Sequence, residues 1–153
     1  MCLVLYIGLD KESSLIPPQD FSTVDSEDPT WPSKVVPFSV EEIVGDKTSV
    51  KKHFTTPIVR YAGSFEGCGC GYNACHINEW EEPTEPDLHE LAGRESRRLL
   101  HAYAQEHDVR QIYACWSGEE SLPPTEQIEV ELDKLTDWTF EIPQRSMLKL
   151  TKS

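Results

Sequence analysis

The chain opens on a continuous apolar run, CLVLYIG over residues 2–8. Such a run, rich in β-branched and aromatic residues, predicts a strand buried on both faces. A second strand is expected at 57–64, PIVRYAGS, with Ile58, Arg60 and Ala62 on one side and Val59, Tyr61 and Gly63 on the other. QIYACW at 111–116 reads as a third. QIEVEL at 127–132 alternates strictly, which marks a strand with one face in water, and WTFEI at 138–142 alternates again. A short last strand is expected at 147–150, MLKL. Only one stretch carries a strong helical period. Leu88, Leu91, Ala92, Leu99 and Tyr103 form its expected core stripe, and Arg94, Arg97, Arg98 and His101 its wet side. Thr84 and Asp87 resemble a capping box with Pro86 in the first turn, so this helix is expected over about residues 86–107. A shorter helix is expected within 39–54, capped by Ser39 or Asp46 and ended before Pro57.

The order predicts an α+β protein: one mixed β-sheet with the main helix packed on a face. Strand, helix and strand over 57–116 suggest a parallel pair with a right-handed crossover, and the remainder suggests a meander. All of 1–153 is read as a single domain. Within it, 10–37 is a proline-interrupted irregular segment, with Phe21 and Trp31 as expected anchors.

Charge narrows the function classes. The net charge is −13. Nucleic acids and anionic membrane surfaces are bound through Lys/Arg patches, so neither is an expected partner. The opening apolar run is too short to span a bilayer and has no basic stretch before it, so a cytoplasmic location is expected. Glu79, Glu81, Glu82 and Glu85 around Trp80 form an acidic stretch that would suit a basic protein partner. A non-catalytic acidic interaction module is therefore one functional reading.

The densest chemistry is GCGCGYNACH at 67–76. Three of the five cysteines, Cys68, Cys70 and Cys75, fall here beside His76. Zinc takes four N or S donors at tetrahedral corners, and thiolates are its commonest structural ligands. Glycines at 67, 69 and 71 let the backbone bend so that side chains converge. The spacing resembles the post-SET zinc knuckle of histone methyltransferases, in which such a trio takes a fourth cysteine from elsewhere. The resemblance covers this loop only and carries no methyltransferase activity. His76, Cys115 and Cys2 are the candidates for the fourth position. Cys115 comes near the loop if the strands at 57–64 and 111–116 are parallel. Cys2 comes near if the first strand runs antiparallel to the second. The expected role of a bound zinc is structural. Cys115 also reads simply as a small buried hydrophobe. A thiol redox pair, Cys68 with Cys70, is a further reading, with Arg60 or His76 lowering a thiolate pKa.

Cys2 supports an enzyme reading as well. A cysteine left N-terminal by methionine removal carries its own base, the α-amino group. The Met-Cys start before an apolar strand resembles class II glutamine amidotransferases and related N-terminal nucleophile hydrolases, which implies Cys2 as a nucleophile. Finally, MCxxLY at the start together with GSxxGCGCG at 63–71 resembles a set of small uncharacterised bacterial proteins. That likeness implies a self-contained domain and brings no activity.

Overall fold

The computed structural model describes residues 2–17, 38–64, 68–73 and 88–152, with the backbone alone at 88 and 89. The expectations placed on Cys75, His76, the acidic stretch 79–85, the capping box, Phe21 and Trp31 lie outside the described residues.

Six strands form one mixed sheet: β1 (Leu3–Leu9), β2 (Phe38–Glu42), β3 (Ile58–Ser64), β4 (Val109–Trp116), β5 (Glu126–Glu131) and β6 (Ser146–Thr151). Their spatial order is β2-β3-β1-β4-β6-β5. Every pairing is antiparallel except β5 with β6. The main helix, α1, spans Leu88–His107. It ends where Asp108 takes a positive φ of 52°, the left-handed turn that follows many helices. Among the described residues, no helix is long and apolar enough to cross a membrane.

All seven residues of β1 are buried. Its odd positions, Leu3, Leu5, Ile7 and Leu9, belong to one core cluster that also contains Leu100, Tyr103 and Ala104 of α1. Its even positions Val4 and Tyr6 belong to a second, with Val50, Phe54, Tyr113 and Cys115. The strand is therefore covered on both sides, as its unbroken apolar run requires. It is also paired along both edges, with β3 and β4. This corrects the expected crossover pair. The strands at 58–64 and 109–116 do run in the same direction, but β1 lies between them and is antiparallel to each.

Three other expectations change. Residues 138–142 form no strand, because Asp137 folds the chain into a turn. Its Oδ1 accepts from the Thr139 amide at 3.0 Å and its carbonyl from the Phe140 amide at 3.0 Å. The segment 39–54 gives strand β2 and then a 3-10 stretch, Gly45–His53, with no side-chain cap; Ser39 pairs with Gly63 in the sheet instead. The stripe of α1 is rotated from the one expected. Ala92, Leu100, Tyr103 and Ala104 are buried, Leu91 is 48% exposed, and Arg97, assigned to the wet side, is 1% exposed. Charge type misled the expected stripe here, since a buried arginine is rare unless its donors are satisfied.

The described start of the 10–37 segment is pinned to the body. Ile16 bridges to Val40, Glu12 pairs with Arg60 at 2.7 Å, and Tyr103 donates to the Ser14 carbonyl at 2.8 Å.

The rotated stripe predicts opposite outcomes at neighbouring leucines. Leu100→Ala should cost about 3 kcal/mol in urea unfolding, the usual range for a buried leucine. Leu91→Ala should change stability by less than about 0.5 kcal/mol. Equal costs would contradict the orientation of α1.

Candidate metal centre

The register of β1 against β3 decides what meets at one end of the sheet. Tyr6 faces Tyr61 and Leu9 faces Ile58, so the start of β1 lies beside the end of β3. The chain leaving β3 then folds back through a short 3-10 turn, Gly69–Tyr72. Ser64 organises this return. Its amide and hydroxyl both donate to the Cys68 carbonyl, at 2.8 and 2.5 Å, and its hydroxyl oxygen accepts from the Gly71 amide at 3.1 Å. A Cβ at residue 69 would sit 3.1 Å from the Leu3 carbonyl and 3.2 Å from the Leu5 amide, a tight fit that would push the turn a few tenths of an ångström from β1, so glycine favours this close approach.

Cys2, Cys68 and Cys70 converge as a result, with their sulfurs all within 4.8 Å of one another. They grade from exposed Cys2, through half-buried Cys68, to buried Cys70. Cys2 is tied down by its own carbonyl, which accepts from the Ser117 amide at 2.8 Å. Backbone donors reach two of the sulfurs. The Leu3 amide donates to Cys70 Sγ at 3.2 Å, and the Cys70 amide hydrogen-bonds the Cys68 sulfur. An N–H aimed at sulfur favours the thiolate, which is the ligating form.

The thiols alone do not complete this arrangement electrostatically. Burial, together with the neighbouring Cys70 and Cys2 sulfurs, pushes the Cys68 thiol up to about 12. Tyr61 is held well above the usual phenol range, first by burial and then by the sulfurs of Cys68, Cys2 and Cys70 and the Glu41 carboxylate. Three adjacent thiolates repel one another, and a bound cation reverses that repulsion. For tetrahedral zinc with Zn–S near 2.3 Å, ligand sulfurs stand roughly 3.8 Å apart, within reach of this cluster by small rotations. An all-sulfur set suits zinc, copper(I) or iron–sulfur chemistry and disfavours magnesium or calcium.

The remaining candidates fall elsewhere or outside the described residues. Cys115 is buried on β4 opposite Val4, in the second core cluster, and does not join the three sulfurs. Arg60, expected to assist a thiolate, pairs with Glu12. The Trp116–Glu120 turn carries its own buried network, in which Glu120 accepts from Tyr6 Oη at 3.0 Å and from the Gly118 amide at 2.9 Å.

Arg97, which the sequence pattern did not single out, and Asn73 hold the turn from behind. Arg97 of α1 donates to the carbonyls of Tyr72 at 2.6 Å, Leu135 at 3.1 Å and Phe140. Its guanidinium is buried against neutral oxygens, and desolvation pulls its pKa down to about 10, so it remains charged at neutral pH. Asn73 pairs its side-chain amide with both backbone groups of Ile142, donating at 3.0 Å and accepting at 2.8 Å, much as a neighbouring strand would. Gly93 completes the clamp, because a Cβ there would lie 2.8 Å from the Gly71 carbonyl and collide with Trp138. In the sequence Arg97 is one member of a charge run, with nothing to distinguish it from its exposed neighbours.

No known protein family, curated protein or solved structure matches this chain.

Arg97→Met should destabilise the protein by about 3 kcal/mol or more in urea, since three carbonyls, those of buried Tyr72 and Leu135 and of half-buried Phe140, lose their donors together. Arg97→Lys should restore only part of this, because one ammonium does not reproduce the planar fork. A cost below about 0.5 kcal/mol for Arg97→Met would show that the guanidinium does not hold the turn.

Proposed function

We propose that Cys2, Cys68 and Cys70 hold a zinc ion whose role is structural, stapling the start of β1 to the turn that follows β3. The observation that carries this reading is the convergence of three sulfurs from two separate segments. The amides of Leu3 and Cys70 add weight, since they already donate to two of those sulfurs. Hydrogen bonds that orient a ligand and stabilise its charge are what a metal centre needs around it. Cys75, the third ligand expected from the loop spacing, and His76, one of the residues expected to complete the set, follow within six residues of Cys70.

The chemistry is that of a clip. A zinc ion joins parts of the chain far apart in sequence, and its binding free energy becomes folding free energy. Each thiol must lose its proton to ligate. Burial raises the pKa of the Cys68 thiol and favours its protonated form, so metal binding displaces a proton and zinc affinity rises with pH. In this proposal α1 lies over the sheet face that carries Leu3, Leu5 and Ile7 and backs the turn through Arg97.

Native mass spectrometry of the full chain, purified with reductant and without chelator, should find one zinc per chain. Cys2→Ser, Cys68→Ser and Cys70→Ser should each abolish stoichiometric zinc, whereas Cys115→Ser should retain it. Removing the metal should lower Tm by roughly 10 °C, the shift expected for about 4 kcal/mol of linkage in a chain of this size. Unchanged metal content and Tm in Cys68→Ser and Cys70→Ser would refute the proposal.

A further inference from the structure

The three sulfurs are equivalent as ligands and unequal in every other respect. Cys70 is buried, and its sulfur is already held by the Leu3 amide at 3.2 Å. Cys2 is exposed and Cys68 is half-buried, so these two face an incoming small molecule. They also belong to different segments, Cys2 at the start of β1 and Cys68 at the start of the turn after β3. A Cys68–Cys70 disulfide would close a small ring across Gly69 alone. It would also pull Cys70 away from the Leu3 amide and open the turn that Ser64 organises. A Cys2–Cys68 disulfide joins two anchored segments along a line where the sulfurs are already within 4.8 Å.

We propose that Cys2 and Cys68 are a redox pair that a peroxide converts into a reversible disulfide, leaving Cys70 reduced. The steps balance as a two-electron exchange. The Cys2 thiolate attacks one peroxide oxygen, an S–O bond forms, the O–O bond breaks, and the departing hydroxide takes up the proton that Cys2 released and leaves as water. The Cys68 sulfur then attacks the Cys2 sulfenic sulfur. The S–S bond forms, the S–O bond breaks, and the leaving hydroxide carries off the Cys68 proton as a second water. The two sulfurs lose two electrons and the peroxide gains them. The pairing stands on the positions of the thiols. Its regulatory meaning rests on the metal reading above: the disulfide removes two of three ligands, so oxidation and zinc exclude each other and peroxide converts a metal staple into a covalent one.

The test starts from the zinc-free, reduced full chain treated with one equivalent of hydrogen peroxide. Free thiols are alkylated, and chymotryptic peptides are sequenced by mass spectrometry without reduction. The expected product joins the peptide containing Cys2 to the peptide containing Cys68, with Cys70, Cys75 and Cys115 alkylated. Cys70→Ser should keep this cross-link and Cys68→Ser should lose it. The fragment spectrum of the unsubstituted chain assigns the bond even if a variant fails to fold. A Cys68–Cys70 bond, a bond to Cys75, or sulfinic acid at Cys2 without a cross-link would overturn the pairing. In a second arm, the oxidised chain should take up less than a tenth of the zinc bound by the reduced chain, with dithiothreitol restoring uptake. A cross-linked chain that still binds stoichiometric zinc would overturn the exclusion. If the reduced chain binds no zinc, the metal reading falls, while the cross-link still decides the redox pair.

Discussion

A strand with seven consecutive buried residues can sit in only one kind of place. Both faces of β1 must be covered and both edges paired, because any exposed side would leave leucine, isoleucine or tyrosine in water and backbone groups unpaired. The rest of the architecture answers that demand. Residues of α1 and the 3-10 turn after β3 share the cluster of Leu3, Leu5 and Ile7. Residues of the 45–54 region share the cluster of Val4 and Tyr6. Strands β3 and β4 close the two edges, both antiparallel to β1. The chemistry follows from that antiparallel choice. It brings Cys2 at the start of β1 to the place where β3 ends and the CGC turn begins. Had β1 run the other way, Cys2 would lie at the far end of the sheet.

Electrostatics then divides the buried charges into two classes. Arg97 keeps its charge inside the protein because three carbonyls point their oxygens at one rigid fork, with the Asp137 carboxylate adding a favourable charge. The thiols have partial help of the opposite kind, from amides that donate to two of the three sulfurs. Those hydrogen bonds do not offset the burial of the Cys68 thiol, which, with the neighbouring sulfurs, raises its pKa. A cation that replaces the protons removes the conflict. An oxidant that removes two of the sulfurs as charge carriers removes it too. The proposed metal binding and the proposed disulfide would thus act on the same cluster of sulfurs.

Much of the fold was legible because apolar pattern and burial are directly linked. The unbroken run of β1, the strict alternation of β5 and the helical period of α1 each marked an element of the right kind. Strand direction was not legible, because no residue of β1 records which way its neighbours run. Both strand directions that would bring Cys2 and Cys115 toward the loop are present, yet β1 lies between β3 and β4, and Cys115 is buried opposite Val4 in the second core cluster, so only Cys2 joins the loop sulfurs. The strand expected at WTFEI failed because Asp137 turns the chain, while the backbone groups of Ile142 are met by the Asn73 side chain rather than by a strand. Arg97 was missed because residue type outweighed periodicity. It lies one turn from buried Gly93 and Leu100, and its burial depends on three carbonyls supplied by distant segments. The backbone donors from Leu3 and Cys70 have no signature in any side chain. The cysteine spacing could identify the loop, but not the amides that prepare its sulfurs.

The central claim is that sulfur from both segments meets on one metal ion. X-ray absorption at the zinc edge, on the full chain reconstituted with one equivalent of zinc, reads the donor atoms directly. The account predicts a first shell dominated by sulfur at about 2.3 Å, with the sulfur count falling by one in Cys2→Ser. A shell of oxygen and nitrogen alone near about 2.0 Å, or a sulfur count unchanged by loss of Cys2, would contradict it.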